Sequence, residues 1–498
     1  MNGADRMIRL PTAGYPLARL ALVIAFLATA SCTGKRDQSP VKVDIIGESS
    51  ELADPLRASD MPAAKVMLGA TAQGLLAFDA RGEVMDALAE SWIVEDGGQS
   101  YIFRLKRIAP ANGEPIKADV VAGLLRQRFR ANPNWLAGLK PQVRAMTDRV
   151  IEIRLDAALP AFLQLLAQPQ FAIMPDGKGT GPYVAKRKET HLDLVPITGT
   201  MADEDAEAHE PPALEHRIVQ ASSGARALVR FRERRTDLVL GGRFQHLLLV
   251  PAAGFEPTDL RVDPVSGLFG LALTGRSIFL ADGNVRDALS RVINRGALAA
   301  AFALPGWATL DHPLPASLEL DRAPTTPVWT DSSRETRMAI AKQAVERWRS
   351  SHGEPPRLRI ALPQGAGATL LFRRLTQDFA ALGVHISRVE MDDKADIVLI
   401  DEVAPFDSAL WYLSRLDCAA GVLCDKRASD LLASARQADT AAEQTRLLGE
   451  AERLIADYSG YIALGQPIRW ALASRRLTGF QPSPRGVHPL NKLTLAPN

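Results

Sequence analysis

The chain has 498 residues, of which 47% are hydrophobic, and this supports a large buried core divided over about two or three domains. Its 59 Lys and Arg residues nearly balance 57 Asp and Glu residues, which leaves a formal net charge of +2. This balance argues against nucleic acid as the main partner, because phosphate binding needs a concentrated basic surface. Beyond the N-terminus no run reaches the roughly 18 consecutive apolar residues that a membrane span needs, so an integral membrane protein is not expected.

Residues 1–32 have the pattern of an export signal. A basic start leads into the uninterrupted apolar run from Leu20 to Ala30, which is too short to stay in a bilayer as a spanning helix. Small residues then precede Cys32 and resemble a bacterial lipobox, although Thr29 stands where Leu is usual. This resemblance implies a lipid on the Cys32 sulfur; an ordinary cleaved signal with an incidental Cys is the alternative. Residues 33–40 are polar and predict a flexible tether.

Strand-like and helix-like segments alternate along the rest of the chain, which predicts an α/β fold. Val41–Ile46 begins the mature domain as a strand, and Tyr101–Leu105 and Val150–Leu155 alternate apolar and polar residues as half-buried strands do. Residues 201–212 are acidic and poor in large apolar side chains, so they predict an exposed loop.

The clearest local unit lies between residues 357 and 400. Arg357–Leu362 predicts a strand, Ala366–Leu382 a helix with one apolar face, and His385–Met391 a second strand. Gly383 is placed to end the helix, and Asp396–Ile400 predicts a third strand. The order is that of a β-α-β unit.

Two further helices have legible starts. Ser332 with Glu335, and Thr440 with Glu443, have the spacing of a capping box ahead of apolar helical repeats. Both are interpreted as structural helices without chemistry.

Two cysteines remain after Cys32, and they lie close together. In an exported chain Cys418 and Cys424 predict a disulfide around a small loop that contains Gly421. Two free thiols are the alternative, and no nearby His or Cys completes a zinc set in the sequence. No metal site or cofactor is predicted.

Several segments, taken in order, resemble the family 5 extracellular solute-binding proteins of ABC transporters, which include dipeptide-, oligopeptide- and nickel-binding proteins. The segments that carry the resemblance are Gly74–Leu76, Ala87–Trp92, Asn112–Ile116, Gly179–Tyr183, Val285–Leu289, Ile293–Arg295, Gly306–Thr309 and Gln466–Trp470. In the family the stretch that corresponds to the first three segments is a turn, a buried Trp, a hairpin and a Gly-Pro turn that enters a helix. Gly179–Tyr183 follows Gly177-Lys178, which might suggest a phosphate-binding loop. The spacing that a Walker A motif requires is absent, so the segment is interpreted as a turn.

The resemblance implies a two-lobed periplasmic-binding-protein fold, type II and like cluster C, with three domains. Domain I is expected to be discontinuous, over residues 41–62, 172–266 and 467–498. Domain II is expected at 63–171 and domain III at 267–466.

The resemblance also implies a function. The chain is expected to be a periplasmic, monomeric binding subunit that closes on a peptide or similar small solute and delivers it to an ABC permease. Energy would come from separate ATPase subunits, because this sequence has no Walker A motif. Contact with the membrane is expected only through the lipid anchor.

The binding pocket is where the sequence departs from peptide-binding members. They usually carry a Trp-x-x-Asp stretch after the third-domain strand, and here the corresponding run is Ile400–Asp407. Asp401 and Glu402 are candidates to hold a ligand ammonium group, with solvated loop acids as the alternative. Trp411 is a candidate to line the pocket, with a place in the core as its alternative.

Two other functional classes stay open. An exported hydrolase is one, although the usual serine and metal hydrolase motifs are not found and the eight His residues are spread thinly. A binding-fold envelope protein without a transport role, acting as a sensor or scaffold, is the other. A nickel or haem binder within the same family lacks an evident His cluster in the sequence.

Overall fold

The computed structural model describes residues 37–108, 115–136, 139–197, 211–256, 258–318, 320–438 and 440–494. The predicted signal segment with Cys32, the Asn112-Gly113 turn and most of the acidic loop lie outside these residues. Within the described ranges, no helix combines the length and the apolar character that crossing a membrane requires. Residues 40–498 belong to one compact unit.

A seven-stranded sheet is assembled from distant parts of the chain, in the order β12-β18-β11-β1-β10-β9-β8. Its strands are β1 Val41–Ile46, β8 Tyr183–Arg187, β9 Leu192–Pro196, β10 Arg217–Ser222, β11 Leu238–Arg243, β12 Leu260–Val262 and β18 Arg469–Ala473. The central strand β1 runs parallel to both neighbours, while the outer pairs are antiparallel. Most of β1 is buried, including Asp44, whose carboxylate pairs with Arg230 at 3.0 Å, while Lys42 is exposed.

A five-stranded sheet has the order β15-β14-β16-β13-β17. Its strands are β13 Gly267–Leu273, β14 Leu358–Ala361, β15 Ile386–Val389, β16 Ile397–Val403 and β17 Tyr461–Gly465. Strand β14 pairs in parallel with β15 and β16, so the predicted β-α-β unit is confirmed. Every residue of β13 is buried, because this strand lies between two others and under helices.

A four-stranded antiparallel sheet has the order β4-β5-β7-β6, and a short hairpin of β2 and β3 precedes it. The strands are β2 Leu76–Phe78, β3 Val84–Asp86, β4 Ala89–Glu95, β5 Ser100–Leu105, β6 Gln142–Thr147 and β7 Val150–Arg154. Strand β4 lies at the sheet edge with several exposed side chains, which leaves Trp92 half-buried rather than buried as the resemblance implied.

Helices cover the sheets and connect their strands. They are α1 Ser49–Ala53, α2 Pro62–Thr71, α3 Ala118–Ala131, α4 Phe162–Leu166, α5 Gly224–Arg232, α6 Phe244–Leu247, α7 Leu249–Ala253, α8 Ile278–Ala281, α9 Gly283–Val292, α10 Arg295–Phe302, α11 Arg334–His352, α12 Ala366–Ala380, α13 Ala409–Arg415, α14 Lys426–Ala435 and α15 Ala441–Tyr458.

The predicted helix starts are half right. Thr440 caps α15, since its hydroxyl accepts from the Glu443 N–H at 3.2 Å. The N-cap of α11 is Ser333 instead of the predicted Ser332, and its hydroxyl accepts from the Thr336 N–H at 3.2 Å. Ser332 is one residue too early because its own N–H closes a turn on the Trp329 carbonyl.

The segment predicted as a turn, Gly179–Tyr183, is irregular with a bend at Gly181 and Pro182, and it leads into strand β8, not into the helix that a phosphate loop requires. Gly181 lies directly against the end of α2, where its N–H donates to the Thr71 carbonyl at 3.1 Å. A β-carbon at Gly181 would stand 2.4 Å from the Ala72 nitrogen, so glycine is required by close packing and not by a ligand.

The hydrophobic core is divided in a way that matters for the site. One cluster joins the four-stranded sheet and α4 to residues between 404 and 455, another surrounds the five-stranded sheet, and a third lies at the seven-stranded sheet. The two larger sheets meet where β12 leads into β13 and where β17 leads into β18.

Candidate ligand site

The candidate site lies where the chain crosses between the two larger sheets. Strands β11 and β18 are antiparallel neighbours, and their register places Arg243 opposite Arg469. Arg469 is also the first residue of β18 after the chain leaves the five-stranded sheet. Two cationic side chains therefore begin at one end of the seven-stranded sheet, beside the crossing segments.

Asp401 is bonded to one of these arginines. The Arg469 Nη1 donates to the Asp401 carboxylate at 2.7 Å, and its Nη2 donates to the Asp401 carbonyl at 3.0 Å. The two side chains are only 14% and 10% exposed, so little water screens the pair. Asp401 thus ties β16 of one sheet to β18 of the other.

Glu402, its neighbour on β16, forms a different ion pair. The Arg415 Nε donates to the Glu402 carboxylate at 2.9 Å, and Arg415 Nη2 contacts its second oxygen. This pair is more exposed, at 30% and 38%, and it joins β16 to helix α13. Both predicted ammonium-binding carboxylates are therefore engaged by arginines within the chain.

One further cation approaches the same place. Lys65 projects from α2, and burial together with Arg243 and Arg469 lowers its pKa from 10.5 to about 8, against the opposing pull of Asp60 and Glu402. Burial and Arg469 likewise lower the Arg243 pKa. A β-carbon at Gly241 of β11 would stand 3.3 Å from the Pro62 Cβ, and Lys65 follows Pro62 on α2. The helix therefore places Lys65 beside the strand that carries Arg243.

Trp411 lies in the core. It is 6% exposed, and its ring meets Tyr412 edge-on with centroids 4.9 Å apart. It belongs to the hydrophobic cluster that joins the four-stranded sheet to residues 404–455. Tyr461 lies nearer the carboxylates, and burial followed by Glu402 and Asp401 raises its pKa well above the usual value.

Polar bonds link the four-stranded-sheet region to the segment after β16. The Asp407 N–H donates to the Gln164 amide oxygen at 3.1 Å, the Gln168 amide donates to the Pro405 carbonyl, and Arg485 Nη1 donates to Asp407 at 3.0 Å. A cavity of about 460 Å³ adjoins them, lined in part by Gln164, Ser266, Asp407 and Arg485. These bonds therefore join three segments that are distant in sequence, around residues 164–168, 405–407 and 485.

Comparison with known proteins decides the family. The model of bacterial extracellular solute-binding proteins, family 5, matches residues 83–396, which is more than half of the chain. The chain belongs to this family. Members bind peptides or similar ligands for import by ABC transporters, and the family implies a periplasmic location.

Solved structures share the fold. The murein tripeptide binding protein MppA of Escherichia coli matches with a TM-score of 0.77 at 18% identity, covering 93% of this chain and 99% of that one. Haemophilus influenzae OppA, solved with the peptide RPPGFSPFR, matches with a TM-score of 0.74 at 14% identity, covering 92% and 99%. These matches confirm the two-lobed periplasmic-binding-protein fold.

A curated relative matches over a shorter stretch. The probable deoxycholate-binding periplasmic protein YgiS of Escherichia coli is 30% identical over 144 residues, covering 24% of this chain. The matched stretch spans 27% of the length of that relative.

The two remaining cysteines of this family 5 chain are joined. Cys418 and Cys424 form a disulfide with Cα atoms 5.3 Å apart, next to the Asp417 carboxylate. The three side chains lie close enough to suggest a metal site, but disulfide sulfurs are not thiolate ligands. This group therefore has a structural role.

Sequence reasoning did not single out the basic residues of the site. Arg469 stands in a segment that carried the family resemblance, but no role was inferred for it. Lys65, Arg243 and Arg415 were not identified at all. The available signal was an arginine at the end of each of two strongly apolar strands, β11 and β18, where a charge needs an explanation.

Proposed function

We propose that the chain is the ligand-binding subunit of an ABC importer, which captures a peptide or similar small solute in the periplasm and delivers it to the permease. The observation that carries this proposal is the crossing of the chain between two large sheets beside Arg469 and Asp401. Such a connection lets two lobes close around a ligand. The ligand shifts the equilibrium between the open and closed forms only because it binds the closed form more tightly.

The ligands named for the relatives are all organic molecules, which supports an organic ligand for this chain, but they differ from one relative to the next. MppA is described as a murein tripeptide binder, OppA was solved with a nonapeptide, and YgiS is described as a probable deoxycholate binder. A peptide or a comparably sized solute is therefore the ligand class of the proposal.

The remaining parts of the proposal rest on the family resemblance and on the lipobox-like N-terminal segment. Domain I comprises residues 41–62, 172–266 and 467–498, domain II 63–171 and domain III 267–466. The protein is a monomer that performs no catalysis and uses no cofactor. A lipid on Cys32 anchors it to the envelope, and its protein partners are a permease with separate ATPase subunits.

Ligand-induced closure tests the central claim. The purified protein is screened by calorimetry against peptides and other small solutes, and small-angle scattering is recorded with each solute that releases heat. We expect at least one solute to bind and to reduce the radius of gyration, and mass spectrometry to recover it unaltered. Absence of both binding and compaction, or the appearance of a reaction product, contradicts the proposal.

A second candidate is a binding-fold envelope protein without a transport role. The observation that favours it is the engagement of Asp401 and Glu402 by Arg469 and Arg415, which departs from the peptide-binding pattern. Deleting the gene and measuring uptake of the solute identified by calorimetry separates the two. Unchanged uptake, in a strain without a second importer for that solute, favours the sensor or scaffold role.

A further inference from the structure

Two cations beside the crossing segments have side chains without hydrogen-bond acceptors among the described residues. Arg243 and Lys65 are half-buried, and in the part of the chain that the structure describes neither side chain has a hydrogen bond or an ion pair. A guanidinium carries five N–H donors and an ammonium three. Donors withdrawn from water without acceptors are unfavourable, so their burial needs a reason.

The neighbouring carboxylates already have donors of their own. Asp401 accepts from Arg469 and Glu402 accepts from Arg415. The Glu51 carboxylate accepts from the Glu48 N–H at 2.8 Å and from the Ala63 N–H at 3.0 Å. The second bond satisfies a main-chain donor in the first turn of α2.

Asp60 is the remaining acid that acts on Lys65. It is exposed, and it accepts from the Gln170 amide at 3.3 Å. All four of these acids are occupied or exposed. Among the described residues, none of them therefore offers a strong acceptor to the two cations, and a bound anion would supply one.

We propose that Arg243 and Lys65 bind the carboxylate of an anionic organic solute. This inference rests on the proposed function and narrows it to one class of ligand. A planar carboxylate matches the fork of a guanidinium through two parallel hydrogen bonds, and Lys65 adds a second charge-assisted donor. Arg469, which the register places opposite Arg243, adds positive potential while Asp401 holds it in place.

The same arrangement disfavours a ligand ammonium group. The two carboxylates predicted to hold an ammonium are bonded to arginines, and freeing Asp401 would leave Arg469 almost buried without its counter-ion. The ligand class is therefore an anion that needs no ammonium, in contrast to a free peptide.

The electrostatic environment supports this assignment. Proximity of Arg243 and Arg469 helps to lower the Lys65 pKa to about 8, and an anion bound among the three would relieve their repulsion. Binding is thus expected to raise the Lys65 pKa and to take up protons at pH 8.

Matched carboxylate and amide probes test the inference. The purified protein is titrated calorimetrically at pH 7 with acid and primary-amide pairs: N-acetyl-trialanine, deoxycholate and benzoate, each beside its own amide. Trialanine amide, which has a free ammonium and no carboxylate, is the cationic probe. We expect at least one acid to bind roughly 10-fold or more tightly than its amide, and the cationic probe to bind worst.

Three variants assign the preference to these residues. Arg243→Gln is expected to weaken binding of the acid by roughly 10- to 100-fold, with Lys65→Gln weakening it to a similar or smaller extent. Arg373→Gln, on the exposed face of α12, is the matched control and leaves the affinity unchanged. The Arg243 side chain makes no hydrogen bond among the described residues, and its main-chain bonds to β18 do not depend on the side chain. Arg243→Gln should therefore melt no lower than wild type, which separates a binding role from a structural one.

The outcomes are distinct. Amides binding as well as acids, or an unchanged affinity in both Arg243→Gln and Lys65→Gln, overturns the anion assignment while the proposed function stands. Binding of no probe and no other solute by the wild-type protein overturns the proposed function, and the anion assignment with it. If Arg243→Gln does not fold, Lys65→Gln decides the question.

Discussion

Two contacts between distant parts of the molecule differ in chemistry. The charged contact consists of Lys65, Arg243, Arg469 and Asp401, at the crossing between the seven-stranded and five-stranded sheets. The apolar contact is the cluster that joins α4 to the segment after β16, with Phe162, Leu165, Phe406 and Leu410 buried at its centre.

The apolar contact stabilises the fold, whereas the charged contact is suited to ligand recognition. Each buried apolar side chain contributes about 1.5–3 kcal/mol to stability relative to exposure. The charged contact loses hydration and contains donors without acceptors, so it contributes little to stability and instead provides recognition. The following predictions test this division, in order of decreasing effect.

Removing a ring from the apolar contact is expected to have the largest effect. Phe406 is fully buried, and Phe406→Ala should lower the free energy of unfolding by about 3–5 kcal/mol, because it leaves a cavity. Urea denaturation followed by circular dichroism measures the loss. Val328→Ala, at a side chain that is 92% exposed, is the control and should change stability by less than about 0.5 kcal/mol. If Phe406→Ala lost as little stability as Val328→Ala, the apolar contact would not be the main source of stability.

Breaking the buried ion pair comes next. Asp401→Asn should cost about 3 kcal/mol, because Arg469 keeps its charge and its burial but loses its counter-ion. The same denaturation assay measures it, and Arg469→Met combined with Asp401→Asn should recover part of the loss. If the double variant is no more stable than the single one, the pair is not the source of the effect.

The unbonded lysine should destabilise the ligand-free protein. Its pKa of about 8 lies below the 10.5 of the unfolded chain, so the unfolded state binds the proton more strongly between these values. Stability therefore rises from pH 8 to pH 10.5 and is lower and constant below pH 8.

Lys65→Gln removes this dependence. It should raise stability by about 1 kcal/mol at pH 7, a value reduced for partial exposure of Lys65, and the gain should vanish near pH 10.5. Thermal melts at pH 7, 9 and 10.5 follow it, with Lys186→Gln on the exposed end of β8 as control. A gain that persists at pH 10.5 would show that charge is not its cause.

The exposed ion pair is expected to matter least. Glu402→Gln should cost less than about 1 kcal/mol, since its pair with Arg415 is partly screened by water. Comparing this loss with that of Asp401→Asn in the same assay ranks the two neighbouring carboxylates. Equal losses would mean that burial does not distinguish the pairs.

Much of the fold could be predicted because its signals are local. The periodicity of residues 357–400 predicted a β-α-β unit, and the structure has strands at Leu358–Ala361 and Ile386–Val389 around the helix Ala366–Ala380. The error at Ser332 was a shift of one residue, which arose because two adjacent serines offer the same cap.

The candidate site was less predictable because its interactions are distant in sequence. Asp401 and Glu402 were recognised as acids at a strand end, but the arginine bonded to Asp401 lies 68 residues further along the chain. Arg243 is the last residue of an ordinary buried strand, and nothing near it in the sequence shows that it will lie opposite Arg469. Their pairing depends on tertiary structure.

The connections from β12 to β13 and from β17 to β18 are short, and both lie between the two larger sheets. Any relative rotation of the sheets has its pivot near these connections. Arg469 is the first residue beyond one of them, so rotation is expected to displace its ion pair with Asp401 only slightly. We therefore expect this pair to keep its positive charge near the same place whether the cleft is open or closed.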